Sequence, residues 1–275
     1  MISVGSFPVG IDVSYFGKAR SARALVQAST PVSRIIGIDR LDYTKGLPQK
    51  FKAFDRFLEK YPQYQRKVVL TQIAPPTRES VEAYADIRQQ LEALAGSING
   101  RFGELDWVPI HYIHRGTPRH RLPNIYHSSR IGMVTPLRDG MNLVAKEYVA
   151  AQAPADPGVL ILSQFAGAAE DMPDALLVNP YNIEDMADVI RIALEMPLEE
   201  RRQRHEALMK SIRTHDATAW WQAFLSNLER VRSDDDPARW RSPEPIREAL
   251  RKLQATAPPE VPPQVPDAAR GRPAA

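Results

Sequence analysis

Ile131-Gly132-Met133-Val134-Thr135-Pro136-Leu137-Arg138-Asp139-Gly140-Met141-Asn142-Leu143-Val144-Ala145-Lys146-Glu147-Tyr148 reads as strand, loop and helix in immediate succession. The apolar run at 131–134 suits a strand buried on both faces, Pro136 and Gly140 mark the loop, and Asn142 stands where a helix needs its N-cap. The same order recurs at Arg34-Ile35-Ile36-Gly37-Ile38-Asp39-Arg40-Leu41-Asp42-Tyr43-Thr44-Lys45-Gly46-Leu47. Outward from these two stretches, β-branched runs predict strands over 34–38, 67–73, 108–113, 131–134, 159–162 and 175–178. Amphipathic stretches predict helices over 47–60, 79–94, 119–126, 143–152 and 183–194, and then a helical stretch over 198–231. Strands alternating with helices specify an α/β domain built on a doubly wound, mostly parallel, Rossmann-like sheet. Ser6-Phe7-Pro8-Val9-Gly10-Ile11-Asp12 reads as the end of a strand with its exit loop.

Composition limits the function classes. With 275 residues, 43% of them apolar, the chain can fill a sizeable core. A charged fraction of 25% with no apolar run of membrane-spanning length excludes a transmembrane helix. The absence of cysteine excludes disulfides, thiol nucleophiles and thiolate metal sites; Met1-Ile2-Ser3-Val4-Gly5 has no secretory-signal pattern, so the expected compartment is the cytoplasm. Lys and Arg total 36 against 33 Asp and Glu, and the basic residues are scattered among acids, which is no footprint for nucleic acid. From Asp234-Asp235-Asp236-Pro237 onward proline dominates, and segments such as Pro258-Pro259-Glu260-Val261-Pro262-Pro263 cannot support a sheet. The tail over 233–275 is expected to be disordered apart from a short helix over 246–253.

Ligands of open α/β sheets bind outside the carboxyl ends of the strands, so polar residues directly after an apolar run are the first candidates. Arg40 and Lys45 enter one loop in this way. A planar guanidinium and a compact ammonium together suit a diphosphate, although a local ion pair of Arg40 with Asp39 or Asp42 is an equal alternative on spacing alone. In the other loop, Gly140 admits a close ligand. The amides of Leu143 and Val144 open a helix behind Asn142 and form an anion site with its dipole. Glu147 lies one turn deeper on the face of Leu143, where a carboxylate can accept from vicinal ribose hydroxyls, and Asp139 at the loop tip can accept from a sugar. The alternative there is an ordinary capped helix with Lys146 and Glu147 solvated.

Other chemistries lack their motifs. Neither Gly-x-Gly-x-x-Gly nor Gly-x-x-x-x-Gly-Lys-Ser/Thr follows the first strand; Gly96 and Gly100 read as a turn at a helix end. Gly-x-Ser-x-Gly is missing, and no Asp-x-Asp follows a strand as a phosphatase nucleophile loop would. Of six histidines, His111 and His114 end a strand and His120 and His127 share a helix, none with a carboxylate at ligand spacing, so no metal site is expected.

With these residues in hand, the chain resembles the trehalose-6-phosphate synthase family, in its C-terminal half. Arg40-Leu41-Asp42-Tyr43-Thr44-Lys45-Gly46, Thr71-Gln72-Ile73-Ala74-Pro75, Val134 through Gln152 and Leu162-Ser163-Gln164-Phe165-Ala166-Gly167-Ala168 carry the likeness, which extends over about residues 5–232. The resemblance implies the C-terminal domain of a GT-B architecture. It further implies a retaining transferase moving glucose from UDP-glucose, or another nucleotide-glucose, to glucose 6-phosphate without cofactor or metal. By position it assigns Arg40 and Lys45 to the donor diphosphate and Asp139 to the transferred glucose. Gly140, Met141, Asn142, Leu143 and Val144 would hold glucose hydroxyls and phosphate through their backbone, and Glu147 the ribose. Ile73 and Thr117 would flank the nucleotide, the Arg115-Gly116-Thr117 loop holding the base, and Arg78 would reach the acceptor phosphate. Residues 1–30 would be the end of a preceding acceptor domain with its linker, and 31–232 the donor domain. Without that acceptor domain the chain is expected to bind donor and not to transfer. A homo-oligomer or a separate N-terminal domain remains open as partner, and a nucleotide-sugar binding module without transfer is the alternative function.

Overall fold

The structure, a computed structural model, describes residues 5–17, 32–77 and 82–233. Arg78, the helix expected over 246–253 and the tail from 234 lie outside the described residues. Strands β1 (Ser33–Ile38), β2 (Val68–Ile73), β3 (Ile110–Ile113), β4 (Ile131–Val134), β5 (Val159–Ser163) and β6 (Leu176–Val178) form one sheet, ordered β3-β2-β1-β4-β5-β6. Every pairing is parallel, and each strand lies within two residues of its expected bounds. The agreement has a simple cause. A sheet covered on both faces demands continuous apolar runs, and all six residues of β2 are buried.

Helices α1 (Val13–Gly17), α2 (Leu47–Lys60), α3 (Glu82–Phe102), α4 (Leu122–His127), α5 (Leu143–Ala151), α6 (Ala168–Asp171), α7 (Ile183–Glu195), α8 (Leu198–Thr214) and α9 (Ala217–Ser233) complete the described chain. The two faces of the sheet carry separate cores: Ile35 joins Phe51, Phe54 and Phe57 of α2 with residues of α3 and α7, while its neighbour Ile36 joins Phe16, Tyr126, Tyr148 and Leu208 on the other side. Each of those buried phenylalanines contributes about 2–3 kcal/mol of transfer free energy. Contacts divide the chain into units 1–226 and 227–275, and every element named above lies in the first except the end of α9. No helix among the described residues is long and apolar enough to cross a membrane.

Four local readings change. Residues 5–12 form no strand; they run irregularly into α1, with the Phe7 ring edge-on to Phe224 and the Phe7 carbonyl accepting from Trp220. Gly96 and Gly100 lie inside α3, not in a turn, because Leu91, Ala95 and Ile98 continue its buried stripe past the point where two glycines would end an isolated helix. The expected helix over 119–126 opens as a 3-10 turn at Arg119–Arg121 before α4, so His120 and His127 do not share one helix. The stretch over 198–231 breaks at 215–216, where the Asp216 carboxylate caps the amide of Ala219 and the Ile11 carbonyl accepts from Ala217. On α9, Trp221, Phe224 and Leu225 are exposed and Trp220 is half-buried.

Candidate functional site

The strand order reverses between β1 and β4. With Ile36 opposite Gly132, the two strands end level at Ile38 and Val134, and a reversal of this kind is where ligands of open α/β sheets bind. Asp39 continues the pairing through its amide to the Ile73 carbonyl, and Leu41 does so to Pro75. Asp39 and Leu41 are buried, and Arg40 between them is exposed. Asp42 then accepts from the amide and hydroxyl of Thr44, closing a short 3-10 turn over Tyr43–Lys45. Burial raises the Asp42 carboxyl, but the Thr44 hydrogen bonds and the charges of Lys45 and Arg40 outweigh it and hold the group below its ordinary value.

Gly46 ends that turn with φ of 65°, and a Cβ there would stand 2.4 Å from the Thr135 carbonyl oxygen. Only glycine allows this approach. The approach brings the two loops together, since the amides of Leu137 and Arg138 both donate to the Thr44 carbonyl. The Lys45 ammonium thereby reaches Asp139, its Nζ 2.5 Å from Oδ2. Asn142 donates from Nδ2 to the same oxygen at 3.1 Å, while its Oδ1 caps α5 at the Ala145 amide. Its backbone sits at φ of 78°, a conformation asparagine tolerates better than most residues. The first helical amides, those of Leu143 and Val144, open α5 beside this cluster. Behind the loop, the amide of Asp139 donates to the Phe165 carbonyl, and the amides of Gly167 and Ala168 donate to the carbonyls of Asp139 and Met141.

Glu147 is half-buried one turn into α5, and its Oε2 accepts from the Tyr126 hydroxyl at 3.0 Å. Burial pushes its carboxyl above the ordinary glutamate value, opposed by that hydrogen bond and by the charge of Arg119. Lys146 is not solvated: it is fully buried, paired with Asp171 at 3.2 Å and donating to the Val9 carbonyl.

The structure therefore brings Lys45, Asp139, Gly140, Met141, Asn142, Leu143 and Val144 into one cluster with Glu147 along the same helix. Arg40, directly after β1, forms no ion pair among the described residues; of its candidate partners, Asp39 pairs with Lys50 and Asp42 accepts from Thr44. Ile73 is buried at the end of β2, and Thr117 is half-buried in the loop after β3; neither makes a side-chain bond to the cluster. Arg78 lies outside the described residues. No group of three or more His, Asp or Glu side chains able to hold a metal occurs among the described residues.

Sequence reasoning missed the support beneath Arg40. Lys50 of α2 is completely buried, its ammonium 2.7 Å from Asp39 Oδ2 and 3.0 Å from Gln72 Oε1, and Gln72 donates to Asp39 and to the Ile73 carbonyl. Gly37 leaves this network its room, since a Cβ there would lie 2.1 Å from Gln72 Oε1. A signal existed: Lys50 falls on the helical face of Leu47, Phe51 and Phe54.

Comparison with known proteins places the chain among relatives. The model of glycosyltransferase family 20 matches residues 1–230. A trehalose-6-phosphate synthase of Enterobacter sp. (strain 638) is 51% identical over 227 residues, which are 82% of this chain and 46% of the relative. A trehalose-6-phosphate structure from E. coli bound with UDP-2-fluoro glucose superposes with a TM-score of 0.79 at 48% identity, covering 81% of this chain and 51% of that one. An alpha,alpha-trehalose-phosphate synthase (UDP-forming) from Burkholderia xenovorans in complex with glucose-6-phosphate gives a TM-score of 0.78 at 45% identity, covering 82% and 51%. The chain thus spans about half the length of these relatives.

Proposed function

The chain belongs to glycosyltransferase family 20, and on that premise we propose that residues 31–232 are the nucleotide-sugar half of a retaining glucosyltransferase that forms trehalose 6-phosphate. The observation that carries this reading is the cluster of Lys45, Asp139 and Asn142 at the mouth of a helix, over the point where the strand order reverses. In it, Arg40, Lys45 and the amides of Leu143 and Val144 hold the diphosphate of UDP-glucose or another nucleotide-glucose. Asp139 and the backbone of Gly140 and Met141 hold the glucose, Glu147 the ribose, Ile73 and Thr117 the surroundings of the base. Arg78 serves the phosphate of glucose 6-phosphate. The relatives bound with UDP-2-fluoro glucose and with glucose-6-phosphate support both substrates.

Transfer with retention follows from front-face attack: the acceptor hydroxyl approaches the face from which the diphosphate departs, through an oxocarbenium-like state. Charge then develops on the leaving diphosphate, where two cations and two helix amides stand ready, and losing either cation costs on the order of 10² to 10³ in rate. By the family resemblance most of the acceptor pocket, Arg78 apart, belongs to the half of the relatives that this chain does not span, so residues 1–275 bind donor and transfer together with that half, in the same chain or supplied separately. The same donor-site cluster also serves a second reading, a nucleotide-sugar binding module without transfer.

Titration calorimetry of the 275-residue chain with UDP tests the donor assignment. Binding is expected, and Arg40→Ala with Lys45→Ala should abolish it; equal affinity in the double variant sinks the diphosphate role. Release of UDP from UDP-glucose and glucose 6-phosphate on adding a family N-terminal half separates the transferase from the binding module.

A further inference from the structure

We propose that Tyr126 is a positioning residue for the nucleotide, its hydroxyl fixing one oxygen of the Glu147 carboxylate so that the other is presented to a ribose. The inference rests on the donor-site reading above and deepens it. Tyr126 is 1% exposed, and its phenol is placed by three elements: Phe16 of α1 and Tyr148 of α5 each lie 6.3 Å from its ring centroid, and its own backbone carbonyl on α4 accepts from Gln152 Nε2 at 2.7 Å. A hydroxyl held so firmly donates to Glu147 Oε2 at 3.0 Å. That bond occupies one of about four lone-pair positions on the carboxylate and leaves Oε1 open.

An unanchored glutamate on a helix has several rotamers, and the charged group nearest in effect is Arg119, whose guanidinium lies 5.0 Å over the Tyr15 ring. Without the phenol, the carboxylate is free to turn toward that cation or toward water. The tyrosine thus selects one rotamer before the ligand arrives, and the ordering is complete before binding. The other charge acting on Tyr126 is Asp39, which is itself engaged by Lys50.

Tyr126→Phe in the full chain removes only the hydroxyl. Calorimetry is expected to show UDP affinity falling about tenfold, the scale of a hydrogen bond to a charged group. Inorganic pyrophosphate should bind within a factor of two and the melting temperature should be nearly unchanged. In a Glu147→Gln background the same substitution should cost nothing further. Parent-like UDP affinity in Tyr126→Phe, equal losses for UDP and pyrophosphate, or a full additive loss on top of Glu147→Gln each overturn the inference and leave Tyr126 a packing residue. A parent chain that binds no UDP overturns the donor-site reading instead. In that event the carbon-13 signal of the Glu147 carboxyl decides: its titration midpoint rises in Tyr126→Phe if the hydroxyl holds the carboxylate, and an unchanged midpoint refutes the positioning role.

Discussion

Lys45 and Asp139 meet at 2.5 Å across two loops that leave neighbouring strands, 94 residues apart in sequence. The cation proposed for a diphosphate is thus partly neutralised by the carboxylate proposed for the sugar. A donor must exchange this ion pair for its own contacts, and Asn142, bonded to the same Asp139 oxygen, keeps the carboxylate in place when Lys45 turns away.

Asp139→Asn should therefore separate the two ligand ends. Removing the competing charge frees Lys45, so inorganic pyrophosphate should bind several-fold more tightly, while the advantage of UDP-glucose over UDP should shrink. Weaker pyrophosphate binding in calorimetry would contradict the exchange.

Gly46→Ala should cost more than the about 1–2 kcal/mol of a left-handed backbone, because the new Cβ also meets the Thr135 carbonyl oxygen at 2.4 Å. The loops must part to accept it, which moves Lys45 off Asp139. Urea denaturation should show the loss of stability, and UDP affinity should fall with it; a variant of parent stability would mean that the contact relaxes freely.

Lys50→Met leaves Asp39 buried and unpaired, for an expected loss of about 3–5 kcal/mol. The companion Lys50→Met with Asp39→Leu removes both charges and should recover more than half of that. Urea midpoints read both values; a single variant within about 1 kcal/mol of the parent would show that water reaches the pair.

Glu147 gives a pH dependence of known sign. Its carboxyl is raised by burial, so the charged form that accepts ribose hydroxyls is lost as pH falls, starting above the range of an ordinary glutamate. UDP affinity should weaken over that limb more steeply in the parent than in Glu147→Gln, which shares every phosphate titration of the ligand. The native state binds this proton more tightly than the unfolded chain, so at neutral pH the residue costs stability, and Glu147→Gln should melt no lower than the parent. Coincident affinity profiles for the two proteins would remove Glu147 from ribose binding.

The strands and both loops were legible because each announces itself locally: Ile35 and Ile36 feed opposite cores, and Asn142 caps the helix its type favours. What escaped depends on distant partners. Thr214-His215-Asp216 contains no glycine or proline, yet the helix breaks there because Ile11 supplies an acceptor to Ala217. Glycines at 96 and 100 signal a turn only until the buried stripe of α3 outweighs them. Lys50 and Tyr126 drew no reading as site residues from the sequence. Their partners Asp39 and Glu147 lie 11 and 21 residues away and are joined to them only by the packing of the helices.

The bonds behind the 139–142 loop carry a kinetic consequence. Asp139 pairs with Ala166 as an isolated parallel bridge, and the amides of Asp139, Gly167 and Ala168 all have backbone acceptors, so the loop extends the β4 and β5 pairing beyond the strands themselves. A loop tied in this way opens only when the carboxyl end of the β4 and β5 pair beneath it opens. The amides of Asp139, Gly167 and Ala168 should then exchange with solvent on the slow timescale of the central strands, before any nucleotide is present, and a ligand reaching the site should associate with a surface that needs no loop closure.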